Sequence, residues 1–416
     1  MSTFPPGTWT LTARWVFPVD GPPLERGVVA VAGDKIVAVE PHGRLAADLD
    51  LGDAAVLPGL VNAHAHLDLS GLRGLTPPTP HFTDWLKQVI AHRRRRTPEQ
   101  VQADVQAGLA ECVRYGTTLV GDISGDGGSW DLLAHAPTRA IVFREFLGLP
   151  KDRASGAWER LDRWLASRTA TATCRAGASP HAPYSVRSSL FFAAATRGVP
   201  VAVHLAETLA EQELLAHHRG PFVSFLRDLD VWDPEGLAEH ADHVLRLLNG
   251  LSPTLIVHGN YLSSAAAIPP NASLVYCPRT HAAFGHPPHP FREFLARGVR
   301  VAVGTDSLAS NPDLDVLAKI RFLHRLYPDM PGGALLRMAT LSGAEALGWA
   351  DETGSLTLGK SADLVVVPLP PGEGADPYRL ILGSDLPVRR VLFRGRWVFP
   401  SRYARPTARS PSGRGD

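Results

Sequence analysis

The chain has 416 residues, a formal net charge of +1 and 44% hydrophobic residues, which is enough for one large domain and a smaller one. The balanced charge gives no reason to expect a nucleic acid polymer as a partner, and the N-terminus lacks the basic and apolar regions of a signal peptide. No apolar run approaches the roughly 20 residues of a membrane span. Three scattered cysteines are typical of reduced core residues. These features predict a cytoplasmic protein without a membrane partner.

The two ends of the chain show the pattern of a small β module. Residues 1–57 contain short alternating apolar runs with no helical period, and Gly33-Asp34 predicts the turn of a hairpin. A β pattern returns after residue 354. We therefore predict that 1–57 and 354–400 form one small β-sandwich around a main domain of 58–353. The Arg-, Ser-, Pro- and Gly-rich residues 401–416 are predicted to be a disordered tail.

Between residues 58 and 353, apolar strands alternate with helical segments, as in βα units around a parallel sheet. One helix start is marked by Thr97-Pro98-Glu99-Gln100, with a Thr cap, Pro in the first turn and Gln at the capping-box position. The run His92–Arg96 before it is interpreted as a solvated helix end. We count eight candidate strands, the number that a (β/α)8 TIM barrel requires. They end near His64, Asp122, Arg144, Ser179, His204, His258, Cys277 and Gly304.

Metal-binding residue types cluster at the predicted carboxyl ends of these strands, where a barrel carries its active site. His64 and His66 are two residues apart, so both rings face the same side of the first strand. His204 and His258 end the fifth and sixth strands, and Asp306 follows the eighth. Singly, each histidine is as well explained by a hydrogen bond in the core. Together, three histidines and an aspartate predict a site for one divalent ion with room for water.

Glu207 lies three residues after His204, on a loop where a carboxylate can move a proton without binding the metal. Bound zinc lowers the pKa of water to about 7, and protonating a leaving group suits a carboxyl group of raised pKa. The alternative is a surface glutamate at a helix start. The fourth strand runs into Ser179-Pro-His-Ala-Pro-Tyr-Ser185 and offers no lysine for a carbamate bridge. A mononuclear site is therefore predicted.

Several motifs together resemble the amidohydrolase superfamily, specifically its aminohydrolase branch of metal-dependent deaminases. They are Pro-Gly-Leu-Val-Asn-Ala-His-Ala-His, Pro-His-Ala-Pro-Tyr, His-Leu-Ala-Glu-Thr, Val-His-Gly-Asn-Tyr, Cys-Pro-Arg and Gly-Thr-Asp-Ser, and the resemblance runs from about residue 9 to 398. It implies that one Zn ion, with Fe as the alternative, is held by His64, His66, His204 and Asp306. Asp306 and His258 would orient the attacking water, and Glu207 would protonate a ring nitrogen so that ammonia leaves.

The resemblance also suggests contacts to the substrate. His181 matches a position that contacts substrate in similar deaminases, although it can equally support its loop. Trp85 would cover a purine face, or else pack on the barrel. We further expect contacts from Arg144, at the end of the third strand, and from His281. Where the branch commonly has Ser-Asn after Cys-Pro-Arg, this chain has Thr280-His281 and a His- and Pro-rich loop, which we expect to be polar, flexible and facing the pocket.

The resulting hypothesis is a hydrolase acting on C–N bonds: a deaminase of an adenine-type base carried on a larger group. The candidate substrates are aminodeoxyfutalosine, S-adenosylhomocysteine, methylthioadenosine and adenosine. A triazine chlorohydrolase or a formimino or amide hydrolase would use the same site, and a catalytically silent barrel scaffold is the alternative from another class. A small-molecule substrate is the expected partner, and a homodimer the expected assembly.

Overall fold

The computed structural model describes residues 4–79, 81–372 and 376–400, so the predicted tail lies outside the described residues. The chain begins with seven short strands. These are β1 (Trp9–Thr12), β2 (Trp15–Val16), β3 (Leu24–Glu25), β4 (Val28–Ala32), β5 (Lys35–Glu40), β6 (Leu49–Asp50) and β7 (Ala54–Pro58). β4 and β5 pair antiparallel across Gly33-Asp34, with Gly33 at a φ of +58°, which confirms the predicted hairpin.

Eight parallel strands follow and form one sheet in chain order. They are β8 (Leu60–Ala65), β9 (Thr117–Ser124), β10 (Arg139–Phe146), β11 (Cys174–Pro180), β12 (Val201–Leu205), β13 (Thr254–His258), β14 (Ala272–Tyr276) and β15 (Val301–Val303). A parallel bridge between Ala65 and Asp306 joins the first strand to the end of the eighth. The N–H groups of Thr305 and Asp306 both donate to the His64 oxygen at 3.0 Å. The predicted barrel and its eight strands are confirmed.

Helices connect these strands on the outside of the barrel. They are α1 (Phe82–Arg95), α2 (Pro98–Arg114), α3 (Trp130–Leu133), α4 (Lys151–Ala166), α5 (Ser188–Thr196), α6 (Leu209–His217), α7 (Pro221–Asp228), α8 (Ala241–Leu247), α9 (Pro278–Ala283), α10 (Phe291–Ala296), α11 (Val316–Leu326), α12 (Gly332–Met338) and α13 (Leu341–Ala346), with 3-10 turns at Leu67–Leu72 and Pro234–Gly236. The capping box is confirmed: Thr97 Oγ1 accepts from Gln100 N at 3.3 Å, and Gln100 Oε1 accepts from Thr97 N at 3.0 Å. Within the described ranges, no helix is both long and apolar enough to cross a membrane.

The C-terminal segment returns to the N-terminal strands. It contributes β16 (Leu364–Pro368), α14 (Pro377–Leu382), β17 (Arg390–Phe393) and β18 (Arg396–Phe399). One sheet has the order β18-β17-β16-β7-β2-β3 and the other β5-β4-β1-β6. Buried side chains from both sheets, among them Leu11, Val29, Ile36, Val56 and Leu364, form one apolar cluster. The predicted sandwich is confirmed, while division of the chain at residues 57/58 and 353/354 stays our proposal.

A buried ion pair links the sandwich to the barrel. Arg139, the first residue of β10, donates to Asp363, which stands just before β16. Side chains of Thr353 and Ser361 donate to Asp363 at 3.1 and 2.9 Å, and the Arg394 N–H donates at 2.9 Å. The Asp363 carboxylate is therefore fully hydrogen-bonded at the N-terminal end of the barrel strands, while the Arg139 guanidinium also lies over the rings of Trp349 and Phe393 at 5.7 and 5.3 Å.

Candidate active site

Imidazole and carboxylate groups converge where β8, β12, β13 and β15 end. The Nε2 atoms of His64 and His66 lie 3.4 and 3.6 Å from Asp306 Oδ1. His204 Nε2 lies 3.3 Å from His66 Nε2. The potential ligand atoms of His64, His204 and His258 all lie within 4.8 Å of one another, as do those of His64, His66 and Asp306. The structure thus brings together every residue predicted to hold or surround the ion.

The histidines in this cluster are suited to bind a cation. Burial lowers the pKa of His66 and His258 well below the ordinary value and that of His204 to about 3, and facing imidazoles lower all three further. These rings are therefore neutral and offer lone pairs. Both ring nitrogens of His64, and Nδ1 of His66, are buried with no hydrogen-bond partner among the described residues. Because unsatisfied buried polar atoms are costly, a divalent cation fits this site.

Neighbouring groups set the orientation of the cluster. His204 Nδ1 donates to the His181 carbonyl at 2.9 Å, which leaves the lone pair of Nε2 directed at the cluster. Asp306 Oδ2 accepts from Thr280 at 3.1 Å and Ser310 at 2.8 Å, so that Oδ1 faces the histidines. Asp306 itself adopts a φ of +61°, a left-handed conformation that costs of the order of 1–3 kcal/mol and is typical of functional sites.

Glu207 is a buried side chain and not the surface glutamate of the alternative interpretation. It is 6% exposed, and its Oε1 lies 3.4 Å from His258 Nε2. Burial raises the pKa of Glu207 well above its ordinary value, and the charges of Asp306 and Glu211 raise it further. Glu211 also accepts the N–H groups of Ala206 and Glu207 at 2.8 and 3.0 Å. The loop between β12 and α6 therefore holds Glu207 beside the histidines.

A cavity of about 740 Å³ opens above this cluster. Its floor includes His66, His204, Glu207 and Asp306, and its apolar wall comes from α1 and α7. The wall includes Phe82, Trp85, Leu86, Val89, Ile90, Phe225 and Leu226. Trp85 lines the cavity, and its indole N–H donates to the Thr76 carbonyl at 3.1 Å. His181 also lines the cavity, and both residues remain predicted substrate contacts.

Arg144 does not line this cavity, and the structure does not support the expected substrate contact. Its Nη1 donates to the Arg160 carbonyl at 2.6 Å beside a smaller cavity of about 250 Å³. Alternate side chains of a strand face opposite sides, and Ile141 and Phe143 belong to the apolar interior of the barrel. The next inward residue is therefore Glu145, which does line the larger cavity. The prediction was one residue out of register.

Glu145 belongs to a buried charged group that we did not predict from the sequence. Arg93 donates to Glu145 Oε2 at 2.8 Å and to Asp68 Oδ2 at 3.3 Å. Burial opposes ionisation of Glu145, but the charges of Arg93 and His181 hold its pKa well below the ordinary value. Glu145 Oε1 is buried, lies 3.8 Å from His181 Nε2 and has no hydrogen-bond partner in the described part of the chain. Trp85, Val89 and Arg93 are spaced by four on α1, a signal that Arg93 shares the inward face.

The interpretation of the arginine run as a solvated helix end was therefore wrong for two of its members. Arg93 is only partly exposed and pairs with Asp68 and Glu145, while the Arg96 side chain is 7% exposed and lies 2.7 Å from Asp104. These arginines attach the cavity wall to its surroundings by partly buried ion pairs.

His281 lies away from the cavity, which corrects our expectation of a flexible, polar loop facing the pocket. Its Nε2 donates to the Pro287 carbonyl at 2.8 Å, and its ring packs 5.5 and 5.7 Å from the rings of His286 and His289. His281 is on α9, which begins at Pro278. Burial lowers the pKa of all three histidines, so we expect neutral rings that pack without charge repulsion.

Comparison with known proteins agrees with this geometry. The chain is 30% identical over 426 aligned positions to a 5-methylthioadenosine/S-adenosylhomocysteine deaminase of Syntrophobacter fumaroxidans, covering 92% of this chain and 90% of that protein. The structure of Helicobacter pylori aminofutalosine deaminase in complex with methylthio-coformycin is 25% identical, with a TM-score of 0.80 and 94% and 100% of the two chains covered. An adenosine deaminase of Xanthomonas campestris with bound zinc is 26% identical, with a TM-score of 0.76 and coverages of 94% and 92%.

The family model described as the amidohydrolase family matches residues 55–398, from β7 to β18. That span contains the whole barrel together with every residue of the histidine cluster and Glu207. The chain therefore belongs to the amidohydrolase family.

Proposed function

We propose that the protein is a metal-dependent hydrolytic deaminase of an adenine-type heterocycle carried on a larger group, from which it releases ammonia. The observation that carries this proposal is the convergence of a buried carboxyl group, Glu207, with the histidine cluster on the floor of one cavity. The deaminases of adenine compounds to which the chain is similar support the same reaction. The apolar wall that extends away from the floor suits a base with an attached apolar or ribosyl group.

One divalent ion, with zinc the best match to imidazole and carboxylate ligands, would be held by His64, His66, His204 and Asp306. When bound, such an ion supplies Lewis acidity and makes water available as a nucleophile near neutral pH. The neutral rings and the unpartnered nitrogens of the cluster support this assignment.

The remaining residues have distinct proposed roles. Glu207 holds a proton and delivers it to the ring nitrogen next to the carbon under attack, because its carboxyl group faces the cavity beside His258. His258, whose Nε2 lies 3.4 Å from Glu207 Oε1, and Asp306, which lines the cavity, would orient the attacking water. His181 and Trp85 would contact the heterocycle from the side and from the face. Each proposed role falls on a residue that lines the cavity or contacts one that does.

The proposed partner is a small molecule, as the size of the cavity indicates. From the balanced charge we also propose that the protein does not bind a nucleic acid polymer. A homodimer and a cytoplasmic location stay predictions.

The test is ammonia release by metal-loaded protein from adenosine, methylthioadenosine, S-adenosylhomocysteine, aminodeoxyfutalosine, guanine, cytosine and melamine. We expect release from at least one adenine-type compound, and Glu207→Gln to lower kcat at least about 1,000-fold. Glu213→Gln is the matched control, since Glu213 lies on α6 but is half exposed and pairs with Arg219. The proposal is wrong if metal-loaded protein releases no ammonia from these compounds, or if it instead releases chloride or alkylamine from a chlorinated alkylaminotriazine assayed beside them.

A further inference from the structure

The histidine-rich loop between β14 and α10 reaches the active site through one residue. His289 is 3% exposed, and its Nε2 lies 2.8 Å from the backbone oxygen of His258. Because a carbonyl oxygen only accepts hydrogen bonds, Nε2 carries the proton and donates it. The imidazole of His289 is therefore a fixed donor to the peptide group that follows a proposed catalytic residue.

That peptide group belongs to a strained part of the backbone. His258 has a φ of +69°, and Gly259 follows at +67° and donates its N–H to the Leu205 carbonyl at 2.9 Å. A non-glycine residue holds such a conformation only where its surroundings impose it. The bend directs the His258 ring toward Glu207, at 3.4 Å, and stacks it on His204 with centroids 5.5 Å apart. Rotation of this peptide would move the ring relative to both neighbours.

His289 is itself rigidly placed. Its ring stacks on Tyr276 with centroids 4.1 Å apart and an interplanar angle of 27°, and Phe291 stacks on Tyr276 at 5.0 Å. Tyr276 is the last residue of β14 and is 1% exposed. Prolines at 287, 288 and 290 restrict the backbone on both sides of His289. The donor therefore has a position set by the barrel and by α10.

We propose that His289 is a positioning residue, whose hydrogen bond to the His258 carbonyl holds the His258 imidazole in the orientation that the reaction uses. The inference rests on the proposed function, in which His258 orients the attacking water. It also gives a role to the loop that departs from the family pattern after Cys-Pro-Arg.

The same cluster contains matched controls. His281 donates to the Pro287 carbonyl, and His286 Nδ1 lies 3.0 Å from the Tyr261 hydroxyl. These hydrogen bonds do not involve the His258 carbonyl. A substitution at His281 disturbs the packing of the cluster and spares the bond to His258. A loss of kcat that occurs on substitution of His289 and not of His281 is therefore specific to the hydrogen bond to the His258 carbonyl.

The first experiment compares kcat and KM for four variants on a substrate found by ammonia release. His289→Phe keeps a flat ring against Tyr276 but removes the donor, and we expect kcat to fall about 10- to 100-fold with KM within about twofold. His289→Gln places an amide N–H near Nε2, and we expect kcat within about threefold of the parent. His281→Phe should also stay within about threefold. If His289→Phe does not fold, His289→Asn, too short to donate, carries the test and should lose as much kcat.

The second experiment needs no substrate. Cobalt(II) replaces zinc, and its visible absorption spectrum reports the arrangement of groups around the ion. We expect His289→Phe to shift the spectrum in the same direction as His258→Asn, while His281→Phe leaves it unchanged. This readout separates the two proposals, because it responds to His258 even if no compound on the panel is deaminated.

The inference is overturned if His289→Phe, folded and loaded with metal, keeps kcat within about threefold and leaves the cobalt spectrum unchanged. It is also overturned if His281→Phe loses as much kcat as His289→Phe, since the loop would then act through its packing. Equal melting temperatures of the two phenylalanine variants, with different kcat, would support the specific bond.

Discussion

Two clusters of buried polar side chains lie at opposite ends of the barrel. They differ in which of their polar atoms have hydrogen-bond partners within the protein. At the N-terminal ends of the strands, both oxygens of Asp363 accept hydrogen bonds from protein groups, including the paired Arg139. At the C-terminal ends, nitrogens of His64 and His66 are buried without partners among the residues described. A buried polar atom left unpaired costs about 1–3 kcal/mol. The Asp363 carboxylate is therefore satisfied as the chain folds, although Arg139 Nε has no hydrogen-bond partner among the described residues. The histidine cluster, in contrast, leaves unpartnered the nitrogens that a bound cation would use.

This difference separates stability from function within one barrel. Breaking the Arg139–Asp363 pair should lower the stability of the protein without altering its chemistry. Removing the ion from the histidine cluster should abolish the chemistry and spare the fold. The Asp68–Arg93–Glu145 group is intermediate. Its charges are paired, but Glu145 lines the cavity and its Oε1 has no hydrogen-bond partner within the described ranges.

The largest effect is expected at the histidine cluster. Chelation of the metal, or His204→Ala, should lower ammonia release at least about 1,000-fold, because the ion contributes several kcal/mol to the reaction. Metal content and ammonia release measure the result together. Added zinc should restore the chelated parent and not His204→Ala. Full activity of metal-free protein would contradict the proposed site.

The next effect is on stability. Asp363→Asn leaves Arg139 buried without a counter-ion, and we expect the free energy of unfolding to fall by about 3 to 5 kcal/mol. Urea denaturation of the metal-loaded protein measures it, and metal content and KM should not change. Asp131→Asn is the matched control, since its pair with Arg168 involves an aspartate side chain that is 85% exposed, and such a pair contributes about 0–1 kcal/mol. Equal losses of unfolding free energy in the two variants would show that burial of the ion pair does not determine its contribution to stability.

A moderate effect is expected at the intermediate group. Glu145→Gln removes the charge of a carboxylate that lines the cavity beside His181. KM should therefore rise about 10- to 100-fold, which corresponds to the loss of a hydrogen bond to a charged group, about 1.5–3 kcal/mol. Asp68→Asn is the control, because Asp68 contacts the same Arg93 but does not line the cavity. If both variants raise KM equally, the carboxylate of Glu145 only anchors α1.

The smallest effect is expected at the start of α2. Thr97→Ala removes the capping-box acceptor and should lower the free energy of unfolding by about 1 kcal/mol. Because Thr97 is not a cavity-lining residue, kcat and KM should stay the same. A shift in KM would show that the junction between α1 and α2 is coupled to the cavity wall through Arg93.

The sequence predicted those features that depend on local pattern. Strand ends were visible as apolar runs, and since parallel strands bring their carboxyl ends to one face, His64, His204, His258 and Asp306 were expected together. The capping box at Thr97 was equally local. These predictions needed only periodicity and the geometry of a closed parallel barrel.

The errors arose where partners distant in sequence decide the outcome. Which of Arg144 and Glu145 faces the cavity depends on the register of β10. Alternation from the inward-facing Ile141 and Phe143 indicates Glu145, and we did not use that signal. The burial of Arg93 depends on two carboxylates from other elements. His281 was assigned to the pocket from loop composition, yet its partners are Tyr276 and Pro287. Such contacts are not visible in composition.

The bridge between Ala65 and Asp306 has a consequence for the order in which the protein matures. His64 and His66 stand near the start of the chain, whereas Asp306 lies in its last third. A chain emerging from the ribosome folds from its N-terminus, so the complete ligand set exists only after the eighth strand has been synthesised and has met the first. The proposed metal site therefore becomes complete only late in biogenesis, when the barrel closes.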